Sequence, residues 1–195
     1  MMRRILRRLN GIYLIAFLLV LGCRGTGEKG TPVVPMSQIA QKGKAVFEAK
    51  KCGRCHSIGK PIENPEMQAP DLTTPFLAND SMFVVAHLKF VDETKMPAIQ
   101  LTDEEIKAVS HYIANLHASL HATVSAEKAD TLCAVCYAPV LKSQAREKDL
   151  WYKYLDRTYY FECADCKKLF AKAPEAYRQL LTEYTQSKEQ AMQLP

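Results

Sequence analysis

A Cys-x-x-Cys-His motif at residues 52–56 constrains this chain more than any other feature of its sequence. The thiols of Cys52 and Cys55 lie one helical turn apart, so both can bond to the vinyl groups of one haem, and the adjacent imidazole of His56 can bind the iron. The motif therefore predicts one covalently attached c-type haem with His56 as an axial ligand. Taken alone, it is also compatible with a disulfide or with half of a zinc site beside an unrelated histidine.

Met96 lies forty residues downstream of His56 and is the predicted second axial ligand. A thioether is a soft ligand that suits haem iron and raises its reduction potential. With both axial positions filled, small substrates cannot reach the iron, which favours electron transfer and argues against an enzyme such as a haem peroxidase. The alternatives are ligation by Met67 or His87, or an open sixth position, because most methionines simply pack in a core.

The first 23 residues have the pattern of an export signal. An Arg-rich start at residues 1–10 is followed by an apolar run at 11–21 and by Val-Leu-Gly-Cys at 20–23, which predicts a lipoprotein signal peptide with lipidation of Cys23. A transmembrane helix is the alternative, but eleven apolar residues cover only about half of the roughly 20 that are needed to cross a bilayer. We therefore predict an exported protein that is lipid-anchored in a bacterial cell envelope and faces the periplasm or the cell exterior.

The net charge of +5 comes from this leader. Residues 1–36 contain six Lys or Arg against one acidic residue, and removal of the four arginines of the signal peptide leaves the mature chain at about +1. No basic surface interleaved with aromatic residues is predicted, so nucleic acid is excluded as a partner.

Three helices are predicted around the haem motif. One covers Gln38 to Lys51 and leads directly into the motif, and a shorter one covers Ser81 to Phe90. The third follows a capping box that begins at Thr102. Its apolar residues recur at helical spacing, at Ile106, Val109, Ile113 and Leu116.

Residues 37–122 resemble the class I cytochromes c. The matching residues are Gly43 and Phe47, Ala69-Pro70-Asp71-Leu72, Lys95-Met96-Pro97 and the capping-box segment at 101–106. The resemblance implies that Gly43 and Phe47 cross the last helix at Tyr112, and that the Pro70 carbonyl accepts the Nδ1 proton of His56. Ala69 departs from the family pattern, in which glycine is commoner at this position.

Two further cysteine pairs, Cys133/Cys136 and Cys163/Cys166, predict a second site. Four thiolates in two such pairs typically form a closed structural zinc site, while iron, copper or two disulfides are alternatives. The segment between the pairs predicts a hairpin over Trp151 to Phe161, and residues 166–181 have helical spacing. His117 and His121 could bind a metal weakly, but they are predicted to be solvated surface histidines.

This C-terminal segment resembles the small metal-binding YHS or TRASH domains. The resemblance rests on Tyr159-Tyr160-Phe161, Cys163, the segment 166–170 and the segment 173–177. It departs from the family in having two residues between the later cysteines, Tyr137-Ala138 after the first pair, and Glu162 directly before Cys163. The resemblance implies a metal-binding domain, and the second cysteine pair leading into a helix predicts a treble-clef-like arrangement.

The predicted fold class is mainly α, with a class I cytochrome c helical fold followed by a small α+β four-cysteine domain. The predicted segments are a signal peptide (1–22), a flexible tether (23–36), a cytochrome c domain (37–122), a linker (123–130), a YHS-like metal-binding domain (131–185) and a C-terminal tail (186–195). The predicted function is single-electron transfer between respiratory or periplasmic redox proteins. The alternative is delivery or sensing of copper or zinc, with the haem as a redox module.

Overall fold

The computed structural model describes residues 34–59, 69–74 and 80–192, with side chains as far as residue 187. The predicted signal peptide, the lipidation site Cys23 and the alternative iron ligand Met67 lie outside the described residues. Residues Thr31–Pro195 form one compact unit, so the segments before and after the predicted linker at 123–130 are packed together.

The described chain is mainly α-helical, as predicted, with two short antiparallel hairpins. The helices are α1 (Gln38–Ala49), α2 (Ser81–Lys89), α3 (Asp103–His121), α4 (Lys142–Glu147), α5 (Ala164–Lys172) and α6 (Pro174–Met192), with 3-10 turns at Cys52–Arg54 and Val91–Glu93. The strands are β1 (Thr131–Leu132), β2 (Pro139–Val140), β3 (Trp151–Tyr154) and β4 (Arg157–Tyr160). Among the described residues, no helix combines the length and the apolar character needed to cross a membrane.

Side-chain caps fix where the three N-terminal helices begin. The predicted capping box is present at α3, where the amide of Glu105 donates to Oγ1 of Thr102 (3.2 Å) and the amide of Thr102 donates to Oε2 of Glu105 (2.8 Å). Ser37 and Asp80 cap α1 and α2 by accepting from amides three residues on. Such caps satisfy backbone donors that the first turn leaves unpaired.

Helix α1 crosses α3 at a glycine. A Cβ atom at Gly43 would overlap the carbonyl group of Ala108 and lie 2.9 Å from Cβ of Tyr112, so only glycine allows the two backbones to approach this closely. One turn later, the rings of Phe47 and Tyr112 pack edge to face with centroids 5.4 Å apart. This is the crossing implied by the resemblance to class I cytochromes c, and it places the end of α1 and its cysteine motif beside α3.

The side of α3 that lies opposite its predicted apolar residues is also buried, and the sequence did not predict this burial. Lys107, His111 and Asn115 follow one another at helical spacing and meet α6. The Nζ atom of Lys107 lies 2.8 Å from Oε1 of Glu183, and Nδ2 of Asn115 donates to the Tyr184 hydroxyl (3.0 Å). The polar stripe of α3 therefore faces another helix, α6.

His111 lies at the centre of this packed face and has no exposed surface. Its ring packs beside the stacked rings of Tyr137 and Tyr184, with centroids 5.4 and 5.8 Å away. Burial lowers its pKa below the ordinary 6.5, although the Glu183 carboxylate, 3.7 Å from Nε2, opposes this shift and the Lys107 ammonium adds to it. The folded protein therefore holds His111 neutral.

Acidification is expected to destabilise the fold through His111. Below a pH of about 6.5 the unfolded chain binds a proton at this residue that the folded chain does not, so the free energy of unfolding falls by up to about 1.4 kcal/mol per pH unit. Glu183 stays ionised over this range because His111 and Lys107 lower its pKa to about 2. Urea denaturation between about pH 7 and about pH 5 should give a shallower pH dependence for His111→Gln than for the wild type. Equal slopes would contradict this assignment.

The C-terminal segment is built around Phe170. The predicted hairpin is present, with β3 paired to β4 in the register Trp151↔Tyr160 to Tyr154↔Arg157. Tyr159 and Phe161 pack on the Phe170 ring, which is fully buried. The helical spacing predicted over 166–181 corresponds to two helices, because α5 ends at Lys172 and Pro174 begins α6.

Candidate functional site

A sharp turn after α1 presents the predicted haem-binding residues. Lys51 has a left-handed backbone (φ 57°), and the 3-10 turn that follows is closed by hydrogen bonds from the amides of Cys55 (3.2 Å) and His56 (3.1 Å) to the carbonyl of Cys52. The turn brings the two cysteines one turn apart, as the attachment of one haem through two thioethers requires.

The motif opens onto a cavity with a volume of about 540 Å³. Cys52, Cys55, His56 and Met96 all line it, so two loops forty residues apart in sequence meet in one space. The remaining walls are mainly apolar. They include Phe47, Leu72, Phe83, Val84, Leu88, Val109 and Ile113. The volume falls within the roughly 300–1,000 Å³ that is typical of ligand and cofactor sites.

His56 is oriented by the loop at 70–74. Its Nδ1 atom lies 2.9 Å from the carbonyl oxygen of Pro70, which can only accept, so Nδ1 carries the proton and Nε2 is the nitrogen available to a metal. Asp71 stabilises the loop by accepting from the amide (2.7 Å) and the hydroxyl (2.6 Å) of Thr73. Although burial acts in the opposite direction, these hydrogen bonds lower the pKa of Asp71.

A short turn after α2 positions Met96 in the second loop that lines the cavity. The hydroxyl of Thr94 donates to the carbonyl of Val91 (2.8 Å) and accepts from the amide of Met96 (3.1 Å). The alternative ligand His87 also lines the cavity, and its pKa is lowered by burial and by His56. The structure therefore brings both candidates to the cavity that contains His56.

The cavity suits a haem. It joins two thiols, an imidazole fixed by a carbonyl and a thioether to apolar walls, which is the donor set and environment of a low-spin c-type haem. Cys52 and Cys55 would hold the macrocycle, and His56 with Met96 would bind the iron.

Three of the four cysteines predicted for the second site come together. The Sγ atoms of Cys133, Cys136 and Cys166 lie within 4.8 Å of one another, and all three residues are fully buried. Cys163 is partly exposed and lies outside this three-cysteine group, where its Sγ accepts from the amide of Cys166 (3.5 Å). All four are thiols.

Shared hydrogen bonds set the protonation of these thiols. Although burial opposes it, hydrogen bonds from Cys136 and Cys166 lower the pKa of Cys133 well below its usual value. The hydrogen bond to Cys133 raises the pKa of Cys136 and of Cys166. A hydrogen bond from Cys166 lowers the pKa of Cys163 to about 7. Thiolate is the form that binds a metal, and a cluster in which one thiol already ionises readily is prepared for one.

The prediction that His117 is a solvated histidine is wrong. His117 is only 3 % exposed because the C-terminal segment covers this part of α3, whereas His121, one turn later, is exposed. His117 and Glu162 each place a donor atom within 4.8 Å of the other and of the Cys136 thiol. Sequence analysis missed this group because His117 is separated from the cysteine pairs in sequence. Glu162 directly before Cys163 was the only signal.

Comparison with protein families agrees with the first site. Residues 38–113 match the model of the family described as cytochrome c oxidase, cbb3-type, subunit III. The matched model is that of a c-type cytochrome domain. Within it lie the cysteine motif, Pro70 and Met96, whereas the cysteines at 133–166 lie beyond its end. No curated protein and no solved structure matches the chain.

Proposed function

We propose that this protein is a lipid-anchored mono-haem cytochrome that passes single electrons between redox proteins of the bacterial envelope. The observation that carries the proposal is the convergence of the cysteine motif and Met96 on one apolar cavity of the cytochrome domain. Two axial ligands leave no position for a substrate, which favours electron transfer over bond-making chemistry.

The residues of the chain have separate tasks in this role. A haem bound here supplies one-electron chemistry, with its iron alternating between two oxidation states. Cys52 and Cys55 secure it covalently, and the carbonyl of Pro70 fixes the tautomer of His56. The apolar walls exclude water and, together with a thioether ligand, favour the reduced state.

The cysteine group is proposed to bind zinc as a structural ion in a treble-clef-like module. Buried cysteines on a short hairpin and at the start of α5 suit such an ion, because its binding would link the hairpin to the helix and add to the stability of the segment. The module packs against the cytochrome domain. Ser81 Oγ donates to the Val135 carbonyl (3.1 Å), and the Tyr177 hydroxyl donates to Asp80 (2.7 Å).

Anchoring and partners are proposed from the sequence. Lipidation at Cys23 and a tether at 23–36 would keep the cytochrome domain close to a membrane and within reach of a respiratory complex or a periplasmic oxidoreductase.

An optical spectrum of the purified mature protein tests the electron-transfer role. Haem should remain attached after extraction with acidified acetone, and the reduced-minus-oxidised difference spectrum should be that of a low-spin c-type haem. A high-spin spectrum with an exchangeable sixth ligand would refute the proposal. Mass spectrometry of the mature chain should locate the lipid on Cys23.

A further inference from the structure

We propose that His117, together with Cys136 and Glu162, binds a transition-metal ion, so that the cytochrome helix α3 supplies a nitrogen ligand to the metal site of the C-terminal segment. This inference rests on the proposed metal site and goes beyond it, because the predicted site contained only sulfur ligands.

The first support is the convergence of three donors from three parts of the chain. A nitrogen of His117, the thiol of Cys136 and a carboxylate oxygen of Glu162 all lie within 4.8 Å of one another. His117 comes from α3, Cys136 from the loop between β1 and β2, and Glu162 from the residues after β4. The Cys136 thiol lies 3.5 Å from Oε2 of Glu162 and belongs to the three-cysteine group as well.

The second support is an unpartnered atom. Nδ1 of His117 is buried and has no hydrogen-bond partner. Leaving a buried polar nitrogen unpaired is unfavourable, and most such atoms in folded proteins have a partner. A metal ion that accepts the lone pair of this nitrogen provides one.

The donor set indicates the class of metal. Imidazole nitrogen, thiolate sulfur and carboxylate oxygen together suit borderline divalent ions such as Zn²⁺. Cys163, the ligand that would complete an all-sulfur site, lies outside the group of three mutually close cysteines. Cys136 belongs to both groups, so His117 of α3 and Glu162 can complete a site that begins with the cysteines.

X-ray absorption at the zinc edge of the full-length, haem-loaded protein tests the inference directly. The zinc ligands of the wild type should include an imidazole, which gives a characteristic scattering pattern that sulfur does not. The haem ligand His56 does not interfere, because the measurement reports only on atoms around zinc. A shell that contains sulfur alone would overturn the inference and leave the proposed structural zinc intact, whereas a protein that retains no zinc would refute both.

Variants supply the second measurement. His117→Ala should lower the affinity for Zn²⁺ at least tenfold, measured by competition with a chromophoric chelator, and should remove the imidazole signal. Glu162→Gln should weaken binding in the same direction. His121→Ala is the matched control, because it removes an exposed histidine one turn away and should change neither quantity. Equal affinity in His117→Ala and the wild type would also overturn the inference.

Discussion

Replacing Met96 with alanine is expected to convert the haem from low spin to high spin and to lower its reduction potential sharply. The side chain lines the haem cavity opposite the cysteine motif, and alanine has no donor atom to put in its place. Axial ligands set haem potentials over a range of roughly 0.8 V, and a thioether lies toward the oxidising end of that range. Optical spectroscopy and redox titration of the purified variant would measure both changes.

Two further variants make this test specific. Met82→Ala, also a methionine lost from a partly buried position, should leave the spectrum unchanged, because Met82 packs against the C-terminal core and does not line the haem cavity. His87→Ala separates the two candidate ligands in the cavity. If His87→Ala, and not Met96→Ala, gave a high-spin haem, the assignment of the sixth ligand would be wrong.

Substituting alanine at Gly43 is expected to be the most destabilising single-methyl addition in the cytochrome domain. The new Cβ would overlap the carbonyl group of Ala108, which is helix backbone and cannot rotate away, and it would lie 2.9 Å from Cβ of Tyr112. The helices must then separate, which typically costs about 1–3 kcal/mol and occasionally more. Thermal unfolding should show a fall in Tm of roughly 2–4 °C for each kcal/mol.

Gly53→Ala provides the matched control. A Cβ at this position would meet only the edge of the Phe47 ring at 3.5 Å, which is ordinary van der Waals contact. Its Tm should stay close to that of the wild type. A similar loss in both variants would show that the effect at Gly43 does not come from the close approach of α1 and α3.

Much of the cytochrome domain was predictable because local signals and long-range packing agree there. The capping box at Thr102 begins α3 as predicted, and Gly43 and Phe47 meet Tyr112 as the resemblance to class I cytochromes c implied. In the C-terminal segment, the hairpin over Trp151 to Phe161 was also predicted from the sequence, because its aromatic residues are typical strand formers. The capping box and the hairpin follow from residues close in sequence, whereas the crossing of α1 and α3 was implied only by the resemblance.

There is a physical reason why the burial of the polar side of α3 could not be predicted. A stripe that contains Lys107, His111 and Asn115 has the composition of a solvated face, and only the arrival of α6 from the far end of the chain buries it. The burial of His117 escaped prediction in the same way. The periodicity of a sequence shows which residues share a face of a helix. It does not show whether another element covers a polar face.

The packing of α6 against α3 has a consequence for the chain while it is being synthesised. α6 is made after all the other described helices, yet it packs against α1, the first of them, as well as against α3. Before α6 is made, this side of α3 exposes the Lys107 ammonium, the His111 imidazole and the Asn115 amide to water. This side of α3 therefore adds no apolar patch to the surface of the incomplete chain.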